Sequence, residues 1–148
     1  RRMCLVWGAH CVLTPVLERF KQAQQMMRTM GKGMAGGRLV VQSTSPYLAR
    51  QSFWCIVHTL QAVGLHTIPY HAYVPSFGEW GYVLAGPDAQ WRGDAGPLPP
   101  GLRFITAPVI HDMLRFPPDM AEVPTEVNQL NNQALVRYFE EDWGPYVH

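Results

Sequence analysis

Five small sets of residues have types or spacings that could do chemistry. Gly31-x-Gly33-x-x-Gly36 has the glycine spacing of a dinucleotide-binding turn, a chemistry that needs those glycines between a strand and a helix so that helix amides face the phosphates. Here they precede an apolar run that reads as a strand, so a plain loop is expected. Gly31-Lys32 likewise lacks the upstream glycine and the following hydroxyl of a phosphate loop. Cys55 and His58, three apart on one helical stretch, could touch as a thiolate–imidazole pair. Against this, Cys55 stands between Trp54 and Ile56 with no adjacent Lys, Arg or Asp, the setting of a buried, inert thiol. His66 and His71, five apart on a strand, project to opposite faces and cannot share a metal. Cys4, Cys11 and Cys55 cannot all pair, and their spacing fits no structural zinc site, which favours a reducing compartment. Trp54, Trp80, Tyr70, Tyr73 and Tyr82 read from their types alone as core aromatics.

The elements that must position these residues can be read from periodicity. After Gly36-Gly37, the run Arg38–Gln42 is a short buried strand of the kind usual in parallel sheets. Ser45 and Pro46 supply a cap and a first-turn proline, and Phe53, Ile56, Val57, Leu60 and Val63 recur at helical spacing until Gly64. Strand, turn and helix make half of a βαβ unit. His66–Val74 and Trp80–Ala85 flank the turn Pro75-Ser76-Phe77-Gly78-Glu79, predicting an antiparallel hairpin. The Pro/Gly-dense stretch 86–101 is a loop. Leu102–Ile105 is expected as one more short strand, and Thr106 with Pro108 starts a short helix to about Arg115, ended by Phe116-Pro117-Pro118. A last helix is expected over Asn131–Trp143; its acidic turn Glu140-Glu141-Asp142 lies at the unfavourable end of the helix dipole and should fray. Residues 14–30 also read as helical.

Composition bounds the rest. With 148 residues, 47% hydrophobic and 16% charged, the chain can bury one core and is not disordered. Eight Lys/Arg against one acid in residues 1–74 give way to four against ten in residues 75–148. The positive charge is thin along the chain rather than interleaved with aromatics on one face, so no nucleic-acid partner is expected. No apolar run reaches the length of a membrane span, and Met3–Leu13 is interrupted by Gly8 and His10. The start at Arg1 gives the expectation of a piece of something longer.

Val40-Val41-Gln42-Ser43-Thr44-Ser45-Pro46, then Phe53-Trp54-Cys55-Ile56, Pro69-Tyr70 and Tyr73-Val74-Pro75-Ser76-Phe77-Gly78-Glu79-Trp80-Gly81 resemble the carboxy-terminal half of the spermidine synthases, the polyamine aminopropyltransferases. Phe116–Met120, Val123–Asn128 and Gln133–Phe139 are similar to the bacterial branch in which this domain often follows a multi-span membrane region. The likeness covers about Met34 to Trp143.

It implies an α/β fold: a partial methyltransferase-like, Rossmann-type doubly wound sheet with an antiparallel hairpin and C-terminal helices. It also implies transfer of an aminopropyl group from decarboxylated S-adenosylmethionine to putrescine or another diamine, with no bound cofactor beyond that co-substrate. Gln42 matches a substrate-side glutamine. Tyr73, Pro75, Ser76 and Trp80 match the segment lining the diamine pocket, although Val74 stands where relatives commonly place the tyrosine before Pro-Ser. The family's glycine loop, ribose-binding acid and catalytic aspartate all precede the Val-Val-Gln strand, whereas the only acid upstream of Gln42 is Glu18. The expectation is therefore an atypical helical segment over 1–33, and over 34–148 the distal half of an aminopropyltransferase-like domain. No catalytic residue is assigned, and no activity is expected of the chain alone. The rival expectation is a noncatalytic interaction module or degenerate fragment that self-associates. The location expected is cytoplasmic, with the parent tethered to the inner membrane by a separate region.

Overall fold

The computed structural model describes residues 37–76, 78–87 and 96–146, within the second of two compact units, Gly36–His148. The expectations for residues 1–33, for Cys4 and Cys11, and for the Gly31-x-Gly33-x-x-Gly36 loop lie outside them.

Among the described residues three strands and three helices follow in order: β1 (Leu39–Gln42), α1 (Arg50–Ala62), β2 (His66–Val74), β3 (Gly78–Gly86), α2 (Ala107–Met113) and α3 (Ala134–Trp143), with a 3-10 turn at Gly144–Tyr146. The sheet order is β1-β3-β2. The hairpin is as expected, with Tyr70 opposite Tyr82 and Val74 opposite Gly78. Gly78 closes its turn at φ 74°, a conformation that side chains resist. The parallel ladder expected for β1 is replaced among the described residues by an antiparallel one, Leu39 opposite Ala85 through Gln42 opposite Tyr82. Both β1 and β2 therefore run opposite to β3 and in the same direction as each other. The β1–α1–β2 unit is a split βαβ, its two co-directional strands parted by β3.

The pleat fixes two faces. Gly81, Val83 and Ala85 of β3 share one face with Val41, Pro69 and His71, and α1 packs there through Phe53, Val57 and Leu60, all essentially inaccessible. Gly81 is obligatory at this contact: a Cβ would run into the Phe53 ring and lie 2.6 Å from the Thr44 carbonyl. The opposite side of α1 carries a strap. Arg50 Nε donates to the Ala121 carbonyl at 2.6 Å and Trp54 Nε1 to that of Met120 at 3.0 Å. The Cys55 thiol donates to the Glu126 carbonyl at 3.3 Å, and the Asn128 amide donates to Thr59 Oγ1 at 2.9 Å. Positions 50 and 54, then 55 and 59, are two i, i+4 pairs that together wind around about half of the helix surface, and residues 120–128 follow them along α1 without regular structure of their own.

Three local expectations are corrected. Ser45 does cap, its Oγ accepting from the amides of Tyr47 and Leu48, but it caps a turn, and the regular helix begins only at Arg50. Leu102–Ile105 forms no strand; Leu102 and Phe104 are exposed, so the apolar run lacks a face to bury. The acidic end of α3 does not fray: Asp142 Oδ2 accepts from the Ser52 amide at 2.9 Å and from Ser52 Oγ at 2.7 Å. It supplies the first turn of α1 with the anion that Ala49, which makes no side-chain cap, does not. The helix expected from Thr106 forms as Ala107–Met113, with Thr106 Oγ1 accepting from the Val109 amide.

Candidate functional site

Because β1 and β2 are co-directional, the C-terminal ends of both and the start of β3 meet at one end of the sheet. Gln42, Tyr73, Pro75, Ser76 and Trp80 are all brought to that end. They do not share a face. Gln42 lies opposite Tyr82 and Trp80 opposite Ala72, on the face away from α1. Tyr73 lies opposite Glu79 on the other face and is 64% exposed. Pro75 and Ser76 are exposed in the turn.

Tyr70 and Tyr82, which their types alone mark as core aromatics, lie on the face of Gln42 and Trp80. Tyr70 and Tyr82 stack across the hairpin, ring centres 5.2 Å apart and planes within 15°, and with Gln42 they form one row across all three strands. Burial, followed by the neighbouring Tyr82, raises the Tyr70 hydroxyl above its ordinary pKa. The Tyr70 ring therefore stays neutral near pH 7, and the two stacked rings present π-faces beside the uncharged Gln42 amide. Parity along the strand is the signal that could have found them, since residues 80 and 82 share a face and 70 joins them once the register is known.

On Tyr73's face, His71 Nδ1 lies 2.9 Å from Glu79 Oε2, and its Nε2 lies 2.6 Å from the Arg115 carbonyl. Phe116 packs edge-on against the same ring at 5.0 Å. The group ties both hairpin strands to the segment following α2. His66 falls on the opposite face, as the five-residue spacing requires.

The thiolate–imidazole pair does not form. His58 directs Nδ1 to Thr125 Oγ1 at 2.7 Å and Nε2 to Glu122 Oε1 at 2.9 Å, fastening the strap. Cys55 is fully buried, and desolvation pushes its thiol up to about 11. Among the described residues no group of three His, Cys, Asp or Glu could hold a metal, and no helix is long and apolar enough to cross a membrane.

Comparison with known proteins places the chain beside transferases of polyamine biosynthesis. Over 108 residues it is 53% identical to polyamine aminopropyltransferase 2 of Ralstonia nicotianae, 72% of this chain and 21% of that protein. Over 107 residues it is 49% identical to the polyamine aminopropyltransferase of Leptospira interrogans, again 72% and 21%. The polyamine aminopropyltransferase of Mycobacterium tuberculosis is 32% identical over 136 residues, 88% of this chain and 25% of that protein. The aligned stretch is thus homologous to part of the polyamine aminopropyltransferases, the family its residues resemble. The chain spans about one fifth of the length of the first two relatives. No family model and no solved structure matches.

Proposed function

We propose that this chain carries the diamine-side wall of an aminopropyltransferase. In the complete enzyme the reaction would move the aminopropyl group of decarboxylated S-adenosylmethionine to putrescine. The observation that carries the reading is the meeting, in a homologous stretch, of Gln42 and Trp80 on one face at one end of the sheet, with the Tyr70–Tyr82 stack beside them. Aromatic faces and an amide suit an alkyl chain ending in a cation. The split βαβ is consistent with the antiparallel margin of a doubly wound sheet.

The wall is not the machinery. An ammonium must lose its proton before it attacks, and no aspartate precedes Asp88 in the sequence to match the family's base. Purified chain incubated with decarboxylated S-adenosylmethionine and putrescine should form no spermidine; formation at ~1 per second or faster, an ordinary enzymatic rate, would overturn that statement. The wall itself is tested by titrating putrescine while following the Trp80 indole signal. A shift with millimolar affinity is expected, because one wall buries little of the ligand. Silence up to tens of millimolar would leave the aromatics as core alone.

A second reading concerns assembly. Val40 on β1 is 59% exposed, and the two halves of the sequence carry opposite charge. Both favour association of one copy with another.

A further inference from the structure

His58 and His71 each stand between two oxygens, and the two settings differ in what they ask of the ring. His58 meets the Glu122 carboxylate through Nε2 and the Thr125 hydroxyl through Nδ1. A hydroxyl donates as well as accepts, so a neutral ring with its proton on Nε2 satisfies both partners. His71 has no such freedom. Its Nδ1 lies 2.9 Å from Glu79 Oε2 and its Nε2 lies 2.6 Å from the Arg115 carbonyl, and an ionised carboxylate and a carbonyl can only accept. Both contacts are hydrogen bonds together only when both ring nitrogens carry protons, as in the imidazolium. Either neutral tautomer turns a lone pair toward one of the two oxygens.

The fold places this demand at a joint. Gly81, opposite His71, has no side chain, so the ring meets Glu79 diagonally across the hairpin on the face packed against α1. The His71 side chain is 13% exposed and that of Glu79 35%, so water replaces a lost contact poorly. Arg115 opens the segment that follows α2, and its neighbour Phe116 packs on His71, Phe53 and Trp54 together. The ionisable groups around the ring are Glu79 from β3, Tyr73 two places along β2 on the same face, and Arg115 itself. The neighbouring helix α2, packed against β2, carries His111 and Asp112, both exposed, and α1 meets the ring by way of Phe116.

We propose that His71 is a proton-operated latch: as the imidazolium it ties the hairpin to the segment Arg115-Phe116, and on losing a proton to solvent it lets that segment come away from the hairpin. The neutral ring keeps one of its two oxygens and faces the other with a lone pair. Loosening stays local, because Trp54 Nε1 still holds the Met120 carbonyl and His58 keeps both of its partners in the neutral form. The latch lies on the α1 face, away from the wall of Gln42 and Trp80, and does not rest on the amine-site reading.

Trypsin reads the latch directly, since the bond it cuts after Arg115 begins at the carbonyl that His71 holds. Cleavage of a segment that opens and closes quickly follows the population of its open form. Arg103, exposed and likewise followed by phenylalanine, supplies the reference, and the ratio of the two cleavage rates cancels the protease's own pH profile. In the full chain the rate at Arg115 relative to Arg103 should rise about fivefold or more from about pH 6 to about pH 9. Glu79→Gln offers an amide N–H that can donate to a bare Nδ1, as the Thr125 hydroxyl can to His58, so its ratio should stay low and flat. His111→Gln should keep the full rise. Ring ¹⁵N NMR should show both His71 nitrogens protonated at about pH 6 and one bare at about pH 9, with His58 still in contact with Thr125 at both. A flat ratio in the unaltered chain would overturn the proposal, as would an undiminished rise in Glu79→Gln or a lost rise in His111→Gln. Should Glu79→Gln fail to fold, the ring spectrum of the unaltered chain still decides: a bare His71 nitrogen at low pH removes the latch.

Discussion

At the scale of single residues, burial decides which reactive groups are available. Cys55 is the one cysteine among the described residues, and its chemistry follows from its position in the α1 interface with the strap. With the thiol near 11 rather than 9.0, the thiolate fraction at pH 8 falls roughly a hundredfold below that of an unperturbed cysteine. Alkylation by iodoacetamide at pH 8, read by peptide mapping, should therefore modify Cys55 about a hundredfold more slowly in the folded chain than in denaturant. Equal rates would contradict the buried position. The sign for stability follows from the same shift: the neutral thiol is the favoured folded form, so its contribution is complete below pH 9 and is lost as pH rises toward 11. Much of this was legible, since Trp54, Cys55 and Ile56 give an apolar setting in one dimension. What Cys55 and His58 would bond to was not, because their partners Glu126 and Thr125 come from a stretch without periodicity, and one of the acceptors is a backbone carbonyl that no side-chain pattern reveals.

At the scale of elements, the sequence identifies the hairpin because its turn chemistry and flanking strands agree, and it misplaces features that depend on distant partners. The acidic turn of α3 reads as a defect of the isolated helix. In the fold it is the N-terminal cap of α1, reached across 90 positions of sequence. The resemblance points to Tyr73, the tyrosine nearest Pro75-Ser76; pleat parity puts it on the α1 face opposite Glu79, and puts Tyr70 and Tyr82 on the face of Gln42 and Trp80. The cap gives a direct prediction. Asp142→Ala leaves the amide and hydroxyl of Ser52, a residue with no solvent exposure, without their acceptor, and should cost about 1–3 kcal/mol. Asp142→Asn keeps an oxygen but loses the charge beside the helix dipole and should cost about 0.5–1 kcal/mol. Urea denaturation of both variants checks the order, and a coupling near zero in a cycle with Ser52→Ala would show that the cap contributes nothing.

At the scale of the whole molecule, the proposed diamine-side wall belongs to a sequence whose two halves carry opposite charge. The exposed Val40 belongs to β1, whose ladder among the described residues is to β3 alone, and the strongly basic residues 1–74 face a strongly acidic 75–148 in any head-to-tail encounter. The apolar contribution to such association does not weaken with salt. The charge contribution does, since exposed charges are screened beyond ~10 Å at 0.1 M ionic strength. Light scattering at fixed protein concentration should therefore report a dimer or larger species at low salt and a shift toward monomer as salt rises. The dependence should be strongest below ~0.1 M, where the screening length changes most. Charge reversal at Glu140 and Glu141, both exposed on α3, should lower the low-salt mass without lowering the unfolding midpoint, because neither residue supplies the cap made by Asp142. A monomer at every salt concentration would sink the association reading and would leave the apolar surface of β1 to be covered from within the same chain.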